Sequence, residues 1–391
     1  FEDVKAQLAL ARVVEAYPAR IPMIDIVTGG AGGGSIARID EGGAMKVGPR
    51  SAGATPGPAC YMRGGELPCV TDANIILGKL NGKKILGGKM DVDIALAEKA
   101  IRTHICDKSD LDLHRAASGI ISVVNSNMVR AIRVVSVERG YDPREFTLMA
   151  FGGAGPLHAC EVAQDIGIRQ VLMPPSPGTL CSLGLLMADT KFDLSCSKLT
   201  SARTENAEGA QEVFKNLMSE GDALLDKEHV EADWRRYTYS VDCRYMRQNY
   251  EIPIPVAFPF DGAAMADMVD QFHQEHEHAY GYCSKEMPVQ MVNFRVSAIG
   301  VMEKPDLAAS PLEPDAPLPE PVEVRKVLFD REERFLETKV YHRSELKSGS
   351  TVQGPAILEQ MDSTCVIPPN WSAYTDAWHN IIAVYQGGEG E

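Results

Sequence analysis

Apolar positions along the chain follow two rhythms, one of about four residues and one of two. Val4, Leu8, Ala11 and Val14 stand at helical spacing and predict a helix over 1–17, stopped by Pro18. Short β-branched runs at 23–27 and 35–39 flank a glycine-rich turn and predict a β-hairpin with that turn at its tip. Residues 42–70 carry too much Gly and Pro for regular structure over most of their length. Residues 80–112 read as an insertion with a turn at Gly87 and Gly88 and one helix over 93–104. The longest predicted helix covers 113–139, where Ala117, Ile120, Ile121, Val124, Met128 and Ile132 mark a broad apolar stripe; Gly140 and Pro143 end it.

A strand at 146–151 then runs into a second glycine turn, GGAGP, followed by a helix over 157–166, a strand at 169–173 and a helix at 180–187. After Asp189 the pattern becomes α+β: helix 207–227, strand or hairpin 236–255, helix 263–280 and strand 289–301. Six prolines between 305 and 321 predict an extended linker, and short alternating runs from 323 to 386 predict a small barrel or sandwich. The predicted organisation is an α/β lobe over 1–190, an α+β region over 191–304, a Pro-rich linker over 305–322 and a β module over 323–391.

Charge and cysteine usage narrow the partners. A net charge of -15, without a Lys/Arg run longer than two, disfavours nucleic acid and anionic membrane. The best candidate for a membrane span, 119–137, is interrupted by Asn125, Asn127, Arg130 and Arg133, so no membrane segment is expected. Nine cysteines form no C-x-x-C pair, which suits free thiols in a reducing cytoplasm. The chain opens at Phe1 without an initiator Met, which reads as a processed product or one part of a longer polypeptide.

Candidate chemistry gathers at the two glycine turns. Gly29, Gly30, Gly32, Gly33 and Gly34 can expose main-chain N–H groups to an anion, or form a flexible tip that binds nothing. With strands predicted on both sides, the turn does not fit a dinucleotide fingerprint, which needs strand, glycines and then helix. It fits the strand-loop-strand phosphate cradle of actin-like and sugar-kinase-like ATPases. The second turn has the order strand, glycines, helix, and its helix N-terminus favours negative charge. Asp72 reads as a helix cap or as a ligand for Mg2+. Arg50, Ser51 and Arg63 are either anion contacts or solvated loop residues, and His158 is either catalytic or a packed helix histidine. HQEHEH at 273–278 lacks the zincin spacing and favours a helical face over a metal site.

The stretches TGGAGGGSIARID, VGPRSAGATPGPACYMRGG, VTDANIILGKL, NMVRAIRVVSVERGYDPREFTLMAFGGAGPLHA and GPAILEQMDST occur in this order. Through them the sequence resembles the hydantoinase A and oxoprolinase family, which includes ATP-dependent hydantoinases, 5-oxoprolinase and the nucleotide-binding subunits of acetone and acetophenone carboxylases. The likeness covers most of residues 20–190 and is weaker to the end. It implies an α/β fold with an actin-like ATPase lobe of the sugar kinase, Hsp70 and actin type. ATP and Mg2+ are the implied cofactors, with another divalent metal in a partner subunit. ATP would phosphorylate an amide or enolate oxygen, to drive either cyclic amide hydrolysis or ketone carboxylation.

The resemblance implies that Gly29, Gly30, Gly32, Gly33, Gly34 and Ser35 contact phosphates, and that Gly152, Gly153, Ala154 and Gly155 lie at the adenosine side. Asp25 and Asp72 are the expected catalytic carboxylates, with Asp72 also the expected metal ligand. The implied partners are a hydantoinase B-like subunit and, in a carboxylase, a small third subunit. A first ATPase lobe with its own acidic phosphate loop has no counterpart here and would come from the same or another polypeptide. A non-catalytic scaffold that docks the hydantoinase B-like subunit is the competing reading.

Overall fold

The computed structural model describes residues 26–329, 332 and 334–387, together with the backbone of the short strands Leu8–Ala9, Arg12–Val14, Tyr17–Ala19 and Met23–Ile24. The helix predicted over 1–17 falls mostly outside these residues, and where the backbone is described it is extended. Leu8–Ala9 pairs with Met23–Ile24, and Arg12–Val14 with Tyr17–Ala19. Ser35–Ile39 pairs with Met45–Ser51 rather than with the run before the glycines, which corrects the predicted hairpin. Its turn lies at 40–44, where an Asp40 carboxylate oxygen accepts the N–H groups of Gly42 and Ala44 at 3.0 and 2.8 Å. The glycine segment is therefore a loop leading into a hairpin, and part of the Gly/Pro-rich stretch is a strand.

The chain divides into two compact units, Phe1–Cys181 with Leu307–Glu391, and Ser182–Asp306. In the first unit α1 (Val70–Ile76), α2 (Ile94–His104) and α3 (Leu113–Val135) share one core. Helix α3 starts where Asp112 accepts the Arg115 N–H at 2.9 Å, the capping geometry that satisfies an orphan amide. Its residues Ala116, Ala117, Ile120, Ile121 and Val124 are buried at three- and four-residue spacing. Each large one stabilises the unit by roughly 1.5–3 kcal/mol. A 3-10 turn, Val137–Arg139, and Gly140 at φ 82° end the segment.

Within Leu113–Arg139 an 18-residue window has a mean hydropathy of 1.3, long and apolar enough to cross a membrane by length and composition alone. The apolar side chains of its first half, Ala116, Ala117, Ile120, Ile121 and Val124, are buried in the core of the first unit.

Helix α4 (Gly155–Ile166) buries Ala159, Cys160 and Ala163 against a mixed five-stranded sheet. The strand order is Thr351–Gln353, Trp371–Thr375, Ile381–Tyr385, Gln170–Met173 and Leu148–Met149. Val171 faces Ala383 and Met173 faces Ile381 across an antiparallel pair. Residues 323–391 are thus no free-standing module: their last strand completes a sheet begun before residue 181, because Val171, Met173, Ala383 and Trp371 share one core. Glu323–Val327, Leu336–His342, Ala356–Glu359 and Thr364–Ile367 make a second sheet of the same unit, and Leu157 of α4 joins their core. The proline segment is irregular but strapped down, with Ser310 N–H on Ala377 O at 2.7 Å and Glu313 N–H on Ser348 O at 3.1 Å.

Helix α5 (Leu180–Met187) spans the chain's passage into the second unit. That unit is an antiparallel sheet ordered Thr190–Ser201, Val289–Gly300, Arg235–Tyr245 and Ile252–Val256, with α6 (Ala207–Lys227) and α7 (Gly262–Tyr280) packed on it. Phe214, Met268 and Phe272 of the helices bury against Val241, Ile254 and Phe294 of the sheet. Thr190–Ser201 was not foreseen, although Phe192, Leu194 and Cys196 alternate as a half-buried strand should.

Candidate functional site

The first glycine bend is braced from inside and from below. Ser35 Oγ accepts the Gly32 N–H and donates to Gly30 O, both at 3.0 Å. Gly33 O takes the Thr71 N–H at 2.9 Å and the Thr71 hydroxyl at 3.0 Å, so the bend is fastened to the first turn of α1. Some of the glycines here are needed sterically, whereas Gly29 and Gly32 have room for a Cβ. A Cβ on Gly33 would stand 2.7 Å from Thr71 Oγ1, and one on Gly34 2.8 Å from Ser51 Oγ. A Cβ on Gly48, at φ +68°, would stand 2.6 Å from Gly30 O.

Beside this bend lies a cleft of about 740 Å³, bordered by Thr28 and Gly29, by the Met45–Ser51 strand and by α3. Arg38, Lys46 and Arg130 line it together with Ser122, Ser126 and Asn127, and no carboxylate does among the described residues. In a chain of net charge -15 that is a local reversal of sign, with Lys46 also paired to Asp40 at 3.8 Å. Arg38 is held by a hydrogen bond to Gly48 O at 3.0 Å, and Asn127 by one to Val47 O at 3.2 Å. A positive, partly apolar concavity with main-chain glycines at its rim suits a phosphorylated ligand. Arg38, Lys46, Asn127 and Arg130 were missed by sequence reasoning, because periodicity does not mark cations that converge only through a hairpin and a helix.

The second bend has different neighbours. Gly152 N–H bonds to Pro177 O at 2.7 Å, and the Ser363 hydroxyl reaches Gly152 O and Gly153 O at 3.4 and 3.3 Å. Asp362 accepts the Gly178 N–H at 2.8 Å, and Gln360 donates to Pro175 O at 3.1 Å. Ala154 is the N-cap of α4 and Gly155 its first residue. The C-terminal loop 360–363, within the stretch GPAILEQMDST, is what holds this bend. Gly152, Gly153, Ala154 and Gly155 do not line the cleft at the first bend.

The two bends are joined through buried polar groups. His158 Nδ1 lies 2.9 Å from Asn125 Oδ1, and its Nε2 lies 3.5 Å from Asn74 Nδ2. Asn125 Nδ2 donates to Glu161 Oε2 at 3.2 Å, and the Lys79 ammonium meets Glu161 Oε1 at 2.6 Å. Burial pushes the His158 imidazole down to about 4, helped by the nearby Lys79 charge, so the ring is neutral near pH 7. It is the packed, hydrogen-bonded histidine of the two sequence readings.

Asp72 is wholly buried, and its carboxylate accepts main-chain N–H groups from Cys60 and Cys69 at 2.8 Å and from Ala59 at 3.2 Å. Burial raises its pKa, against the lowering effect of those donors. Its oxygens are engaged in tying the 59–69 loop to α1, which is the capping alternative; that geometry lends no support to a metal or attacking role. Asp25 lies outside the described residues. Arg63 bonds to Ala54 O at 3.3 Å, Ser51 accepts the Gly53 N–H at 3.1 Å, and Arg50 is exposed.

In the second unit His273 bonds Tyr245 at 2.7 Å and His276 bonds Tyr282 O at 2.8 Å within an aromatic cluster. Among the described residues no three His, Cys, Asp or Glu side chains converge as a metal would require. The groups at the cleft therefore do not fit a resident Mg2+.

Comparison with known proteins bears on this geometry. A family model described as hydantoinase/oxoprolinase matches residues 1–194, and its C-terminal domain matches 198–384. Caprolactamase subunit alpha of Pseudomonas jessenii is 36% identical over 92% of this chain and 52% of its own. The acetophenone carboxylase gamma subunit of Aromatoleum aromaticum is 30% identical over 91% and 50%. The chain spans about half the length of these curated relatives. Among solved structures, ATP-dependent caprolactamase from Pseudomonas jessenii superposes with a TM-score of 0.77 at 33% identity, over 97% of this chain and 56% of that one. Nucleotide-free acetone carboxylase superposes at 0.85 over 95% and 54%, and at 24% identity it speaks for the α/β fold alone.

Proposed function

Because the chain belongs to the hydantoinase/oxoprolinase family, we propose that it is a subunit of an ATP-dependent enzyme that phosphorylates an amide or enolate oxygen, to drive cyclic amide hydrolysis or ketone carboxylation. The observation that carries this reading is the braced glycine bend at the rim of a cleft lined by Arg38, Lys46 and Arg130 with no carboxylate among its described lining. Phosphorylating an amide oxygen turns it into a phosphate that can leave once water adds to the carbon, whereas phosphorylating an enolate oxygen holds the ketone as its enol until P–O cleavage restores the carbonyl as the new carbon–carbon bond forms. In phosphoryl transfer the protein chiefly positions groups and neutralises charge. Three cations and the main chain of Gly29 meet that need for the phosphate chain. The amino end of α4, with Gly152, Gly153, Ala154 and Gly155, would meet the other end of the nucleotide. A Mg2+ ion would be held chiefly by the phosphates of the nucleotide itself.

The relatives named as subunits support a hetero-oligomer, with a hydantoinase B-like partner and, for a carboxylase, a small third subunit. The other ATPase lobe would come from the half of the relatives' length that this chain does not span. The assembled enzyme, given ATP and Mg2+ with a lactam, hydantoin, 5-oxoproline, or a ketone plus bicarbonate, should release ADP, AMP or phosphate only when its substrate is present. Absence of substrate-dependent nucleotide cleavage with all of these would refute the reading.

One observation favours the scaffold alternative: the second bend lines no part of the cleft at the first. If the assembly forms and binds no nucleotide by calorimetry, the chain serves to dock the hydantoinase B-like subunit.

A further inference from the structure

The buried polar chain between the bends has no part in the chemistry described above, yet it links α1, α3 and α4 through side chains that are all buried. We propose that Asn74, His158 and Asn125 form a strut that sets the spacing of the two glycine bends, with His158 a positioning residue for a nucleotide held at both. The inference rests on the ATP-binding reading.

Each bend is carried by a different helix. Gly33 O is bonded twice to Thr71, so the first bend moves with α1. The second bend passes directly into α4 at Gly155. Asn74 stands three residues beyond Thr71 and His158 three beyond Gly155, so each bend lies within one helical turn of the contact where α1 meets α4. Asn125 braces the contact from α3, and the Lys79–Glu161 pair closes the chain one turn further along.

The pattern of donors leaves one arrangement of protons. Asn125 uses its Nδ2 on Glu161, which turns its Oδ1 to His158. His158 therefore donates from Nδ1, and its Nε2 is the acceptor facing Asn74 Nδ2. A ring kept neutral by burial holds the same tautomer across the physiological range. Apolar side chains of similar size would bury as much area, but van der Waals contacts permit sliding, whereas directional bonds favour one register; Asn74 Nδ2 is also held by Val70 O at 3.1 Å, while its buried Oδ1 has no partner among the described residues. A ligand that touches both bends depends on that register, and a ligand that touches one does not.

The test compares ligands of different reach on the complete assembled enzyme. Calorimetry measures ATP, inorganic triphosphate and adenosine binding to wild type, His158→Leu and Asn74→Leu; the near-isosteric Asn74→Leu carries the test if His158→Leu does not fold. The expected result is ATP affinity lower by about tenfold, with triphosphate and adenosine each within about twofold of wild type, the size of an ordinary coupling between two sites. Unchanged ATP affinity, or an equal fall for all three ligands, would overturn the strut. Wild type that binds no ATP would instead overturn the nucleotide reading, and the strut with it, before any substitution is compared.

Discussion

Lys79→Met isolates the contribution of the buried ion pair that closes the chain of polar groups. The Lys79 side chain is 1% exposed and Glu161 6%, with 2.6 Å between Nζ and Oε1. Methionine preserves most of the aliphatic stem, so the packing loss is small and the change is chiefly electrostatic. Removing one member of a buried pair leaves the other charge in a low-dielectric site without that partner, which costs about 3–5 kcal/mol. Glu161→Gln in the same chain removes the second charge while keeping an oxygen for Asn125, so the double variant should recover at least half of that loss. Urea unfolding followed by tryptophan fluorescence reports on this unit through Trp371, which is 1% exposed in its core. Two units are expected to give separable transitions. The first-unit midpoint should fall by more than about 1 M in Lys79→Met, given ordinary urea slopes. A loss below about 1 kcal/mol, or a double variant as unstable as the sum of the single ones, would show that the pair is not electrostatically coupled and that the geometry has been misread.

Three further substitutions probe the site. Gly48→Ala combines a left-handed φ of +68° with a Cβ 2.6 Å from Gly30 O, so it should cost about 1–3 kcal/mol and displace the first bend, read as a lower melting temperature and weaker ATP binding together. Asp72→Asn sets an amide against three N–H donors; it should destabilise by about 1–3 kcal/mol and leave the Mg2+ concentration for half-maximal activity unchanged, whereas a shifted Mg2+ requirement in a stable variant would revive the ligand role. His158 binds its proton more weakly folded, at about 4, than unfolded, near 6.5, so the unfolded chain takes up more protons between those values. Its contribution is full above pH 6.5 and is lost as pH falls through 4, by roughly 3 kcal/mol. The pH dependence of unfolding over that window should flatten in His158→Leu, and an unaltered slope would count against a buried neutral ring.

Periodicity in the sequence revealed those elements whose stability is local. The α3 stripe, the 207–227 and 262–280 helices and the helix after the second glycine turn were legible because each presents an apolar face at helical spacing. The hairpin at the first bend was misassigned because pairing is a non-local choice. The runs 23–27 and 35–39 both read as strands, but the turn at Asp40 offers Ser35–Ile39 a nearer partner. The same cause hid the union of 170–173 with 381–385, two short apolar strands two hundred residues apart with no local mark of their pairing. Site residues followed suit. Glycines announce themselves by type, whereas Arg38, Lys46 and Arg130 become a group only after the hairpin is laid against α3.

The placement of the C-terminal strands brings the stretch GPAILEQMDST to the second glycine motif. Ala356–Glu359 lies in the sheet that covers Leu157 of α4, and the residues just beyond it, Gln360, Asp362 and Ser363, reach the 175–178 loop and the second bend. Gly178 leaves no room for a side chain, since a Cβ there would meet Asp362 at 2.8 Å. Arg343, itself buried, bonds Met173 O at 2.8 Å, His379 O at 3.1 Å and Gln360 at 3.0 Å, and so ties this loop to the sheet. The second bend thus depends on residues from both ends of the first unit, while the first bend is held by its neighbours Ser35 and Ala52 and by Thr71 of α1. A segment that supplies one wall of a binding bend is part of the lobe that bears it, whatever its distance along the chain, and the proline-rich stretch before it serves to return the backbone to that lobe after the inserted second unit.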